Sequence, residues 1–226
     1  MAASNQQKNH RERLRLRMRE GGFEAFHDYE LLEYLLTFVH RQGDTKAIAK
    51  ALIAEFGSFG AVFAASHAEL VRVKGVGDKA AAAIHFVAAS ILQVLKEEAS
   101  GRPVLSNWAA VEDYLKASMA HQPREQFRIL FLDTKNVLIR DHVLSVGTVD
   151  QTAVHVRELV KAALETHASA LIIVHNHPSG DPSPSRDDIR MTDLIKQALS
   201  PLGITLHDHI IVGSKGLYSF RANGLA

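Results

Sequence analysis

The sequence predicts an α/β protein of the α+β kind: an all-helical N-terminal module, then a domain built on a mixed sheet flanked by helices. Three observations carry this. Residues 10–98 hold apolar side chains at helical spacing. The stretch Glu97–Val104 breaks that pattern with Ser100, Gly101, Arg102 and Pro103. Beyond it, short runs of strand formers alternate with helical segments, and no internal repeat is present. The expected domains are residues 1–99 and 104–226.

Leu31, Leu32, Leu35 and Leu36 share one helix face behind Asp28, the expected N-cap. Ala47–Phe56 reads as a helix stopped by Gly57, and Ala80–Leu95 as an alanine-rich helix free of glycine and proline. After the linker, Trp108–Met119 predicts a helix and Phe127–Leu132 a strand ended by Asp133, Thr134 and Asn136. Val137–Val149 predicts one or two strands, and Val154–Leu164 a helix. Leu171–Val174 is a continuous apolar run, as in a strand buried on both faces. Ile189–Leu199 is helical in pattern, and Ile204–Val212 and Leu217–Phe220 read as strands around the Gly213–Gly216 turn.

Composition narrows the function classes. The 226 residues are 46% hydrophobic, enough to bury a real core. No run of eighteen apolar residues predicts a membrane span, and the polar first twenty residues do not read as a secretory signal. There is no cysteine, which excludes disulfides, thiolate zinc sites and a cysteine nucleophile. Any metal must therefore be held by His, Asp or Glu. A cytoplasmic protein is the expectation. Net charge is only +1, so the chain as a whole is not a nucleic-acid glove. Arg11, Arg13, Arg15, Arg17 and Arg19 cluster near the N-terminus, either as a solvated helix face or as a patch that contacts phosphate.

The chemically informative stretch runs from His175 to Asp188, directly behind the buried strand. Residues two apart on a strand share a face, so His175 and His177 project together from its end. Ser185 stands where a helix N-cap belongs, which puts Asp188 in the first helical turn. Taken singly, these are a polar strand end and a capping signal. Together they converge on one point. Two imidazoles and one carboxylate leave a tetrahedral position open, the mark of a catalytic zinc site.

His175-x-His177-Pro178, six residues, then Ser185-x-x-Asp188 resembles the JAMM motif of the JAB/MPN metallopeptidases. The longer stretch HNHPSGDPSPSRDD, with GTV before it and HDHIIVG after it, is similar to the bacterial RadC family (UPF0758), and the similarity extends through the N-terminal half. That resemblance implies a cytidine-deaminase-like mixed sheet and one Zn²⁺ per chain on His175, His177 and Asp188. It further implies Glu125 as catalytic base, Ser185 steadying the oxyanion, and a peptide or protein substrate. Glu125 is chosen because it stands where the helix around Tyr114–Met119 gives way to the first strand; Glu158 is the second candidate. Two positions depart from the family pattern: His142 replaces an expected acid, and Val156 an expected proline.

Two further motifs need placing. His207-Asp208-His209 could bind metal as a second His-x-His, but reads as core or as support for the metal ligands, with Asp208 one candidate to bond a ligand imidazole. Val73-Lys74-Gly75-Val76-Gly77-Asp78-Lys79-Ala80 resembles a helix–hairpin–helix. Its backbone N–H groups, with Lys74 and Lys79, would hold phosphates without reading sequence; otherwise it is a hairpin that only packs. The leading expectation is a zinc hydrolase. Its rivals are a DNA-associated repair factor whose zinc domain is only a scaffold, and a metal-dependent nuclease.

Overall fold

The computed structural model describes residues 2–147 and 156–225. The last two residues of the expected Val137–Val149 strands and the first two of the expected Val154–Leu164 helix lie outside the described residues. The chain forms two compact units, Met1–Ile91 and Leu92–Ala226.

The first unit is helical: α1 (Ala2–Gly21), α2 (Asp28–Val39), α3 (Thr45–Phe56), α4 (Phe59–Ala64), α5 (His67–Leu70) and the start of α6 (Asp78–Ala99). Short polar caps set the boundaries. Asp44, Ser58 and Ser66 each accept a hydrogen bond from the backbone N–H three residues on. Asp28 is the first helical residue and not the N-cap; His27 takes that place, and Glu30 reaches back to its N–H at 3.1 Å. Leu32, Leu36, Leu52, Val62, Leu70 and Ile84 are fully buried in one core. Two of the clustered arginines are committed inside this unit. Arg11 donates to the carbonyls of His40 and Arg41 at 2.7 and 2.9 Å, where α2 leaves its last carbonyls open. Arg17 bonds Glu30 at 2.9 and 3.1 Å and lies over the Phe26 ring. Arg13, Arg15 and Arg19 are exposed.

By length and composition α6 is apolar enough to cross a membrane. Only part of it is buried: Phe86, Ile91 and Val94 are exposed. Ala80, Ala81 and Ile84 lie in the first core, and Ala99 is buried in the core of the second unit.

The second unit continues with α7 (Trp108–Met119), β1 (Gln126–Leu132), β2 (Leu138–Val146), α8 (Val156–Glu165), β3 (Ala170–Asn176), α9 (Arg186–Leu199), β4 (Thr205–Gly213) and β5 (Gly216–Ser219). Among the described residues the strands form one sheet in the order β2-β1-β3-β4-β5, with only the β3/β4 pair parallel. This mixed sheet between helices is the predicted fold class, and the stretch after Val137 makes one strand. The period-two alternation explains the layering. Leu130, Leu132, Ile172 and Val174 pack with Val111, Leu115 and Met119 of α7. Phe127, Ile129, Phe131, Leu171 and Ile173 pack with Leu159 of α8 and Ile195 of α9. Strand β3 is buried at every position, in keeping with its apolar run Ala170–Val174.

Candidate metal centre

His175 ends the core side of β3 and is 1% exposed. His177 follows two residues later, and its N–H donates to the Val212 carbonyl of β4 at 2.9 Å. The loop after it folds tightly onto the β4–β5 turn. A Cβ on Gly180 (φ +82°) would run into the Ser214 side chain, and one on Gly213 into the Gly180 carbonyl oxygen. Two glycines thus let backbone meet backbone at this corner. The chain then enters α9 through Ser185, the predicted cap. Ser185 Oγ accepts from Asp188 N at 3.1 Å and donates to Asp188 Oδ2 at 2.7 Å. Asp188 returns the contact to the Ser185 N–H at 2.7 Å. The box locks the carboxylate rotamer, leaving Oδ1 at 3.2 Å from His175 Nε2 and Oδ2 at 3.6 Å from His177 Nε2.

Ligand atoms of His175, His177 and Asp188 all lie within 4.8 Å of one another, a group that could hold a metal ion. The donor chemistry fits. The two Nε2 atoms face each other at 3.0 Å with the carboxylate beside them. His177 Nδ1 donates to the Asp181 carbonyl at 2.8 Å, so its Nε2 is the atom left for a ligand bond. Electrostatics agree with a cation site. Burial opposes ionisation of Asp188, but the close contacts with the His175 and His177 rings outweigh it and hold the carboxyl far below the ordinary range. The contact with Asp188 raises His177.

Glu125 stands immediately before β1, half-buried, and its charge is felt by the triad. Burial raises its pKa, and His175 and His177 pull the other way. Its backbone is pinned by a residue the sequence reading passed over. Asn176, between the two histidines and 1% exposed, accepts from Gln126 N–H at 2.8 Å. Its amide donates to the carbonyls of Gln122 and Arg124 at 3.3 and 3.2 Å. One side chain therefore ties the Glu125 segment to the ligand strand. The only hint in sequence was its place inside the motif.

The rival Glu158 is exposed in the first turn of α8. His142 lies on the edge strand β2 opposite Ile129, next to the Phe131 ring, so that departure from the family pattern leaves the triad untouched. Asp208 does not bond a ligand imidazole. It accepts from the N–H groups of His209 and Arg221 and from the Ser219 hydroxyl, and so ties down the end of β5. The imidazole partner is His209, whose Nε2 lies 2.8 Å from His175 Nδ1; burial pushes it well below the ordinary histidine range.

In the first unit, the hairpin between α5 and α6 buries Val73 and Val76 and exposes Lys74 and Lys79. Gly75 (φ +93°) lies where a Cβ would press on Ile48 at 2.8 Å. Gly77 opens α6, its carbonyl accepting from Ala80 and Ala81. Asp78, in the first turn, already supplies negative charge at that helix start.

A five-stranded mixed sheet carrying two histidines at a strand end and an aspartate in the next helical turn is the arrangement of a JAB-type domain. The profile of the RadC-like JAB domain matches residues 105–225. A UPF0758 protein of Rhodobacter capsulatus is 51% identical over 212 residues, 94% of this chain and 99% of its own length. Another, from Ruegeria pomeroyi, is 47% identical over 217 residues, 96% and 97% of the two chains. The chain belongs to this RadC-like UPF0758 family. Membership points to a metal-dependent hydrolase-type domain.

Proposed function

We propose that the second unit is a zinc-dependent hydrolase of the peptidase type, with one Zn²⁺ held by His175, His177 and Asp188. The observation that carries the proposal is the convergence of those three ligand groups beside a half-buried glutamate. Nitrogen and oxygen donors in this number suit a catalytic zinc with a position left for water.

Bound zinc would supply an acidified water, its pKa brought from 15.7 to about 7. The chain supplies the rest. Glu125, made more basic by burial, accepts the proton of the attacking water and passes it to the leaving amine. Asn176 holds the Glu125 segment in place. Ser185, on the rim of the triad, rests its hydroxyl on Asp188 Oδ2 and would exchange that bond for one to the substrate carbonyl oxygen as charge develops there. Loss of such a donor typically costs about 100-fold or more in rate. The chemistry suits amide or isopeptide bonds in a peptide or protein substrate.

Elemental analysis tests the metal assignment. The wild type should carry about one zinc per chain, and a His175→Ala, His177→Ala double variant none. Full zinc in that double variant would place the metal elsewhere.

A second reading concerns the first unit. Exposed Lys74 and Lys79 on the hairpin support a sequence-independent contact with DNA phosphates. In this reading the protein is a DNA-associated repair or recombination factor, and its zinc unit is only a binding scaffold.

A further inference from the structure

Strand β4 carries an extra residue. Leu171 of β3 pairs with Leu206, but Ile172 pairs with Asp208, so His207 has no partner on β3 in the register. Side chains alternate along a strand, and an inserted residue inverts the alternation beyond it. Leu206 and His209 are three residues apart, so an unbroken strand would send them to opposite faces. Here Leu206 packs in the α8–α9 layer, and His209 meets Thr192 of α9 in that same layer. The bulge re-aims His209 toward the metal centre.

His209 is 1% exposed and stacks on Phe220 with ring centroids 4.5 Å apart. Its Nε2 is 2.8 Å from His175 Nδ1, and its Nδ1 is 2.6 Å from Thr192 Oγ1. Thr192, also 1% exposed, stands one turn after Asp188 and donates its hydroxyl to the Asp188 carbonyl at 2.7 Å.

We propose that Thr192 and His209 are positioning residues that fix the tautomer of His175 and so present its Nε2 lone pair to the metal. This rests on the metal-site reading above. A hydroxyl has one proton, and Thr192 gives it to the Asp188 carbonyl. The contact with His209 then requires Nδ1–H of His209 as donor. A neutral imidazole carries one N–H, so His209 Nε2 accepts, and His175 must donate from Nδ1. His175 Nε2 is left bare, facing His177 Nε2 and Asp188 Oδ1. The relay thus joins the backbone of one ligand residue to the ring of another. His177 has the same orientation set by a backbone carbonyl, that of Asp181. Partners of this kind typically change metal affinity by about 10- to 100-fold when removed.

Zinc affinity of the full chain, measured by chelator competition, tests the relay. His209→Phe keeps a ring against Phe220, and Thr192→Val keeps the shape at α9; both should bind zinc roughly 10- to 100-fold more weakly than wild type. Thr192→Ser, which keeps the hydroxyl, should bind like wild type, and His177→Ala should lose zinc. Independently, long-range ¹H–¹⁵N spectra of the zinc-loaded wild type should show both His175 and His209 protonated at Nδ1. If the wild type takes up no zinc, or His177→Ala binds as tightly, the metal-site reading fails and the relay with it. If His177→Ala loses zinc while His209→Phe and Thr192→Val match wild type, the relay alone is overturned. Should either variant fail to fold, an Nε2–H signal on wild-type His209 overturns it equally.

Discussion

Asn176 joins the histidine-bearing strand to the Glu125 segment through one side chain. It sits between the two converging histidines and satisfies three backbone groups of the segment around Glu125. Asn176→Ala would leave those groups unpaired near the core, each at about 1–3 kcal/mol. It would also let the base drift, and a misplacement of about 1 Å costs on the order of 100-fold in rate. We expect lower stability in urea, hydrolysis down by about that factor, and unchanged zinc content; full hydrolysis by this variant would remove Asn176 from the account. The convergence of His175, His177 and Asp188 was legible in the sequence because one short stretch contains all three. A strand end gives two histidines a common face, and a capping box fixes the acid. Asn176 was not legible, because its partners lie fifty or more positions away.

Elements were legible where local chemistry decides them. Gly57 ends α3 in the left-handed conformation, and α7 has the bounds its pattern predicts. The bulge in β4 was not legible. It is set by pairing with β3, and without it the alternation assigns the wrong member of His207-Asp208-His209 to the ligand. The arginine cluster likewise became interpretable only once α2 was seen beside α1. Arg17 holds Glu30 at a pKa of about 2, well under its ordinary 4.5, chiefly through their hydrogen bonds. A carboxyl depressed on folding stabilises above its unfolded pKa, and that contribution is lost as pH falls through the folded value. The window here runs from about pH 4.5 down to about 2. In a ¹³C titration Glu30 should show a midpoint near 2, moving back toward 4.5 in Arg17→Ala. A midpoint unchanged by that substitution would show that Arg17 does not hold the carboxylate.

At the scale of the molecule, a helical unit bearing exposed lysines and a sheet unit bearing the candidate metal centre share one chain. The first unit gives a modest prediction. Affinity for a random duplex should fall with salt, and Lys74→Ala with Lys79→Ala should flatten the log–log salt dependence by about two. An unchanged slope would leave the hairpin a packing device. The central claim concerns the second unit, and Glu125→Gln tests it most directly, because it keeps the size of the side chain and removes the proton acceptor. Hydrolysis of a peptide or isopeptide substrate should drop by roughly 100- to 10,000-fold, with zinc content and thermal stability near wild type. Full hydrolysis by Glu125→Gln, or a zinc-loaded wild type that cleaves nothing across a broad peptide and isopeptide library, would contradict the account.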